Sequence, residues 1–133
     1  MTERPTLHWR RELAREVAAV AEGTMSADHT SFLGSYSPSF LDAVDAALAA
    51  FEAEVRGLGG ATDSEVLAAV ERVVQALNEV NREESGGAID TDEREQLCLF
   101  IDEVLTDRGI DVGELAAREG VERYAITDRW RRW

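Results

Sequence analysis

The sequence has one cysteine, Cys98, two prolines, Pro5 and Pro38, two histidines and no lysine. A single cysteine excludes an internal disulfide and a thiol metal cluster. Its place in an apolar run suits a small buried hydrophobe in a reducing compartment, so a cytoplasmic location is expected. No run of about 18 apolar residues occurs, and Arg15, Glu16 and Glu22 interrupt the alanines and valines near the N-terminus, so neither a spanning helix nor an ordinary export signal is expected. No segment alternates apolar and polar residues long enough to argue for a sheet. The 133 residues therefore predict a single all-α domain over 1–133: four principal helices, one of them central and near 91–108, with one or two short C-terminal helices.

What the chain has in quantity is acid. Fourteen arginines face 27 aspartates and glutamates, a net charge of −13. The excess is concentrated: residues 1–39 carry −1, residues 40–111 carry −13 and residues 112–133 carry +1. A field of that sign repels nucleic acid and anionic membrane and speeds encounter with a basic partner, so neither nucleic acid nor membrane is expected to bind.

The central helix is the best marked. Asp90 or Thr91 can cap its start, Asp90 and Glu93 have capping-box spacing, and Gly109 followed by Ile110 fits a left-handed stop with Ile110 folding onto Leu105. Leu97, Phe100, Ile101, Val104 and Leu105 follow helical spacing, and Cys98 and Leu99 make the helix apolar around nearly a full turn. Before it, a helix over 6–22 carries Trp9, Leu13, Val17, Val20 and Ala21 on one face. A polar stretch from Thr24 to Ser37 follows, with Phe32, Leu33 and Tyr36 expected to pin it to the core. Ser37 and Pro38 begin a second helix with a seam of Leu41, Val44, Leu48, Phe51, Val55 and Leu58, ended by Gly59 and Gly60. Thr62 and Glu65 open a third, 62–82, striped by Val66, Val70, Val73, Leu77 and Val80. Short turns predict two antiparallel hairpins, second helix with third and third with central. Asp111 and Glu114 cap a short helix that Gly120 stops, and Thr127 can cap a final turn holding Trp130 and Trp133.

Chemical motifs are sparse. A carboxylate-bridged di-metal bundle needs inward Glu-x-x-His pairs, and His8 and His29 lie in no such context. Asp42 and Asp45 form one Asp-x-x-Asp, more simply read as a solvated helix face. Asp90, Asp92, Glu93 and Glu95 lack the twelve-residue calcium loop and are explained by helix-start electrostatics. Ser31, Ser35 and Ser37 have no nucleophile elbow. No catalytic residue, metal site or cofactor is assigned.

Three features remain. Asn78 and Asn81 share a helix face in a residue type that forms helices poorly, and are read as structural amides bonding the backbone of the following turn or the start of the central helix. Leu99 lies among Glu95, Gln96, Asp102 and Glu103, where burial under a neighbouring segment is preferred to exposure. The C-terminal tryptophans and arginines are read as folding back onto the acidic body, tryptophans in a groove and arginines against acids.

Leu77-Asn78-Glu79-Val80-Asn81, then Ile89 to Cys98, and Ile126-Thr127 followed by Arg129 and Trp130, resemble a pattern in a group of small, uncharacterised, acidic helical proteins of bacteria. The resemblance covers about a third of the chain. It implies a stand-alone bacterial helical domain and brings no activity and no site residues with it.

The expected function is that of a non-enzymatic acidic binding protein: an inhibitor or immunity-type protein masking a basic protein partner, such as the substrate site of a nuclease toxin. Its candidate contacts are Asp92, Glu95, Asp102 and Glu103, read as exposed acids, with Leu99 as the apolar residue among them. The alternatives are a small metal-dependent hydrolase using Asp42, Asp45 and acids of the third helix, and a homodimeric structural protein joined through Leu99 and the apolar seam. The chain is expected to be a monomer or a homodimer.

Overall fold

A computed structural model describes residues 3–24, 36–84 and 88–133 of the chain. Phe32, Leu33, His29, Ser31 and Ser35, and Ser85 to Gly87 of the linker before the central helix, lie outside the described residues. Among the described residues the fold is all-helical: α1 (Pro5–Glu22), α2 (Pro38–Arg56), α3 (Asp63–Glu83), α4 (Thr91–Asp107), α5 (Val112–Arg118) and a 3₁₀ turn (Arg123–Ala125). Helix α4 is the expected central helix.

Local chemistry accounts for most boundaries. The Ser37 hydroxyl accepts the Phe40 amide at 3.1 Å, with Pro38 in the first helical position where its missing donor does no harm. At the start of α3 the Glu65 amide donates to the Thr62 hydroxyl and the Thr62 amide to the Glu65 carboxylate, a complete capping box. Asp111 accepts the Glu114 amide at 3.0 Å and caps α5. Helix α4 stops where Gly109 enters the left-handed region at φ 87, letting the Ile110 amide reach Leu105 O and the Gly109 amide reach Thr106 O.

Two boundaries depart from expectation. Helix α2 ends at Arg56, before Gly59, because Gly57 closes the last turn and Leu58 folds over to pack against the core. At the start of α4 the Asp90 side chain makes no capping bond. The Glu93 carboxylate is favoured in its charged form by the backbone of Asp90 and Glu93, but the expected capping box is not closed.

The helices form an antiparallel set about one core. Ser37, before α2, meets Glu84, after α3, while Glu54 near the end of α2 pairs with Arg72, so α2 and α3 run antiparallel. Arg4 meets Glu52 and Arg10 meets Asp42, which runs α1 antiparallel to α2. The Trp9 indole donates to Gln96 of α4 and its ring stacks with Tyr36 and Phe40. Leu41, Val44, Leu48, Phe51 and Val55 of α2, Val66, Val70, Val73 and Leu77 of α3, and Leu97, Phe100, Ile101 and Leu105 of α4 are buried and share one core. Burying such side chains supplies roughly 1.5–3 kcal/mol each before entropy is counted.

The α1 face also differs from the one read in the sequence. Trp9 is buried and Leu13 partly so, but Val17 is 49% exposed and Glu16 is buried. Arg10 already lies opposite Asp42, close to the start of α2. The turns of α1 beyond Leu13 therefore run past the N-terminal end of α2, and Val17 has no α2 surface to cover it.

The expected α3–α4 hairpin is not a close pair. Helix α4 approaches α1, α2, α5 and the 3₁₀ turn more closely than α3, whose main neighbour is α2. The C-terminal segment occupies the gap. On the α3 side Arg118 grips Asp63 and Asn78 holds the backbone at Trp130 and Arg132; on the α4 side Arg123 grips Asp102 and Thr127 touches Cys98. Trp133 is buried and Trp130 partly so. The tail does fold back, but Arg129 and Arg131 pair with Glu119 and Asp128 of the same segment rather than with acids of the body.

Candidate functional site

The arginines divide the acidic surface unequally. Across α1 and α2, Arg4 pairs with Glu52 at 2.6 Å, and Arg10 reaches Asp45 at 2.7 Å and Asp42 at 3.0 Å. Arg72 joins Glu54 across α2 and α3, and Arg118 joins Asp63 across α3 and α5. The outward face of α4 receives no such cover. Asp92, Glu95 and Glu103 have no ion pair among the described residues, and all three are exposed.

Leu99 sits in that face and is 47% exposed, which corrects the expectation that a neighbour buries it. Successive residues of a helix turn by about 100°, so Leu99, two residues from both Leu97 and Ile101, points nearly opposite to the side chains that anchor α4 in the core. Glu95, Leu99 and Glu103 are spaced by four, and this regular spacing is the sequence signal that puts the leucine on the acidic stripe. Beside it runs a groove of about 300 Å³ between α4 and the first turns of α1. Leu99, Phe100, Gln96 and Glu103 form one wall; Glu3, Pro5 and His8 form part of the other. The α1 wall has no signature in the sequence, because only tertiary packing brings residues 3–8 to α4. Arg4 also lines the groove, but its guanidinium is held by Glu52.

Asp102 does not belong to this surface. The reading of it as an exposed acid is corrected: it is 4% exposed, and Arg123 donates to both of its oxygens at 2.8 Å while the Thr106 hydroxyl adds a bond at 3.3 Å. It lies one residue beyond Ile101, on the flank of α4 that faces the C-terminal segment. A buried carboxylate needs such pairing to remain charged.

The two asparagines are placed as connectors. Asn81 Oδ1 accepts the amides of Ala88 and Ile89, both at 2.9 Å, tying the end of α3 to the approach of α4. Asn78 donates to Trp130 O and accepts the Arg132 amide, each at 2.9 Å, so it holds the C-terminal segment rather than the turn.

Asp42 and Asp45 face α1 and not the acids of α3. Asp45 accepts from both Thr6 and Arg10, and Asp42 from Arg10. Among the described residues no three His, Cys, Asp or Glu side chains gather as potential metal ligands.

At the start of α4, Glu93 packs against the Tyr36 hydroxyl. Burial raises the Glu93 carboxyl above its usual value, opposed by its backbone hydrogen bonds; burial and the nearby Glu93 charge raise the Tyr36 phenol.

Comparison of the chain with protein-family models, with curated proteins and with solved structures found no match. The resemblance carried by residues 77–81, 89–98, 126–127, 129 and 130 therefore has no relative to be weighed against. Among the described residues no helix is long and apolar enough to cross a membrane.

Proposed function

We propose that the protein is a non-enzymatic acidic binding protein, an inhibitor or immunity-type module that covers a basic surface of another protein through the outward face of α4. The observation that carries the reading is the pairing pattern: arginines offset acids between the helices, while Asp92, Glu95 and Glu103 stand without ion pairs among the described residues around an exposed Leu99. Charges kept free of internal partners raise the rate of encounter with an oppositely charged surface, and an apolar residue among them supplies a desolvated contact. Glu95 and Glu103 are eight residues apart, about 12 Å along the helix axis. The fitting partner therefore presents an apolar side chain between two cationic ones of similar separation, as the basic substrate site of a nuclease toxin could. A symmetric homodimer through the same face would oppose like charges, and is disfavoured.

The test is capture of the tagged protein's partner from a lysate of the cells that make it, at low salt with a salt step. A stoichiometric basic protein should come off in the salt step. Glu95→Arg combined with Glu103→Arg should slow its association by about tenfold or more. Retention of the same partner at the same rate by the reversed variant would end this reading, and a scattering mass of twice the monomer would favour the homodimer.

A further inference from the structure

A second cavity, of about 690 Å³, lies where the C-terminal segment crosses the end of α3, away from the α4 face. Its walls are rigidly set. Both polar atoms of the Asn78 amide are bonded to the crossing backbone at Trp130 and Arg132, and one helical turn on, Asn81 Oδ1 holds Ala88 and Ile89. These clamps bring Arg129 and Arg132 from the tail into the same cavity as Arg82 of α3. In a chain of net charge −13, three guanidinium groups thus line one cavity.

Their existing partners leave them available. Arg82 pairs with Glu79 and Arg129 with Glu119, both through exposed contacts that contribute little and exchange readily. The Arg132 side chain has no acid partner among the described residues, although its backbone amide is fixed 2.9 Å from Asn78. Glu79 and Glu84 also line the cavity, so its three arginines outnumber its two carboxylates. The backbone that carries Arg132 is fixed by Asn78 while its exposed side chain stays free to turn towards a ligand, and a guanidinium matches the planar, paired oxygens of a carboxylate or phosphate.

We propose that this cavity binds a small oxyanion, a phosphate or carboxylate group of a small molecule, with Arg132 as the principal ligand and Arg129 and Arg82 in support. Titration of the ¹⁵N-labelled protein with inorganic phosphate and, separately, citrate, against sodium chloride at matched ionic strength, tests it by NMR. At least one oxyanion should produce saturable shifts at Asn78, Asn81, Arg129, Trp130 and Arg132, and which of the two saturates identifies the group read. Arg132→Gln, which keeps the backbone bond to Asn78, should weaken binding about tenfold, while Arg11→Gln, in an exposed pair with Glu3, should not. Shifts that fail to saturate, that chloride reproduces, or that Arg132→Gln leaves unchanged would overturn the assignment.

Discussion

Arg123 holds Asp102 through two parallel hydrogen bonds of 2.8 Å, joining the C-terminal segment to the flank of α4. The carboxylate is buried, whereas the guanidinium remains 42% exposed. The two partners are therefore not equivalent. Asp102→Ala should lower the unfolding free energy by about 2–3 kcal/mol, because it removes charge-assisted bonds from an enclosed site. Arg123→Ala leaves the buried carboxylate unpaired, and Asp102→Ala combined with Arg123→Ala should be less destabilised than the sum of the single changes. Urea unfolding of the four proteins measures the coupling.

Asn78→Ala should loosen the C-terminal segment specifically. Two hydrogen bonds to backbone are lost, a cost of about 1–3 kcal/mol. Amide exchange at Arg132 should accelerate while that at Val44 and Leu48 in α2 changes only as far as global stability does. Uniform acceleration across the chain would show that the segment and the bundle open together.

Leu99→Asp separates packing from recognition. A side chain that points away from the core should tolerate the change within about 0.5 kcal/mol, measured by thermal unfolding. If the α4 face is the docking surface, the same substitution should abolish partner capture, since it removes the one apolar contact and adds a like charge. A large loss of stability would mean that Leu99 is covered in solution.

The Glu93 and Tyr36 pair predicts pH dependence at both ends. A carboxyl raised above its unfolded value, near 4.5, binds its proton more tightly in the folded chain, so this group's contribution to stability falls as pH rises through the raised folded value. Glu93→Gln should lose that decline, visible as a flatter stability curve above about pH 4.5 than in the parent. The raised phenol has the same sign at higher pH: stability should fall as pH rises past about 10, and Tyr36→Phe should remove that component.

Thr62→Ala tests the best-formed helix start. It should cost about 1 kcal/mol, the usual worth of such a cap, and Thr62→Ser should restore most of it.

These cases mark what could be read from the chain. Ser37 with Pro38, Thr62 with Glu65, Asp111 with Glu114 and Gly109 with Ile110 all act within a few residues, so their consequences were legible without the fold. The α2 seam was legible for the same reason, because Leu41 to Val55 keep one period and all of them are buried in the core. Asp102 and Glu103 could not be told apart in this way. They are adjacent and both acidic, and only the arrival of Arg123 from 21 residues away decides that one is enclosed and the other exposed. The exposure of Val17 depends likewise on where α2 begins relative to α1, and the α1 wall of the groove exists only because Trp9 finds Gln96. Asn81 reaches its partners seven and eight residues on, whereas Asn78 reaches 52 and 54 residues on. One amide was therefore open to local inference and the other was not.

The short connection between α2 and α3 has a consequence in time. Closing a loop costs more entropy as it lengthens, and helices joined by a few residues meet with the least delay. Glu54 and Arg72 are 18 residues apart, while Trp9 and Gln96 are 87 apart. The α2–α3 pair should therefore be structured in the folding transition state, with substitutions at Val44 or Val70 slowing folding. Changes at Trp9 or Asn78 should chiefly speed unfolding, so that the two flanking segments, including the one that presents Arg132, are the first to leave when the protein is stressed.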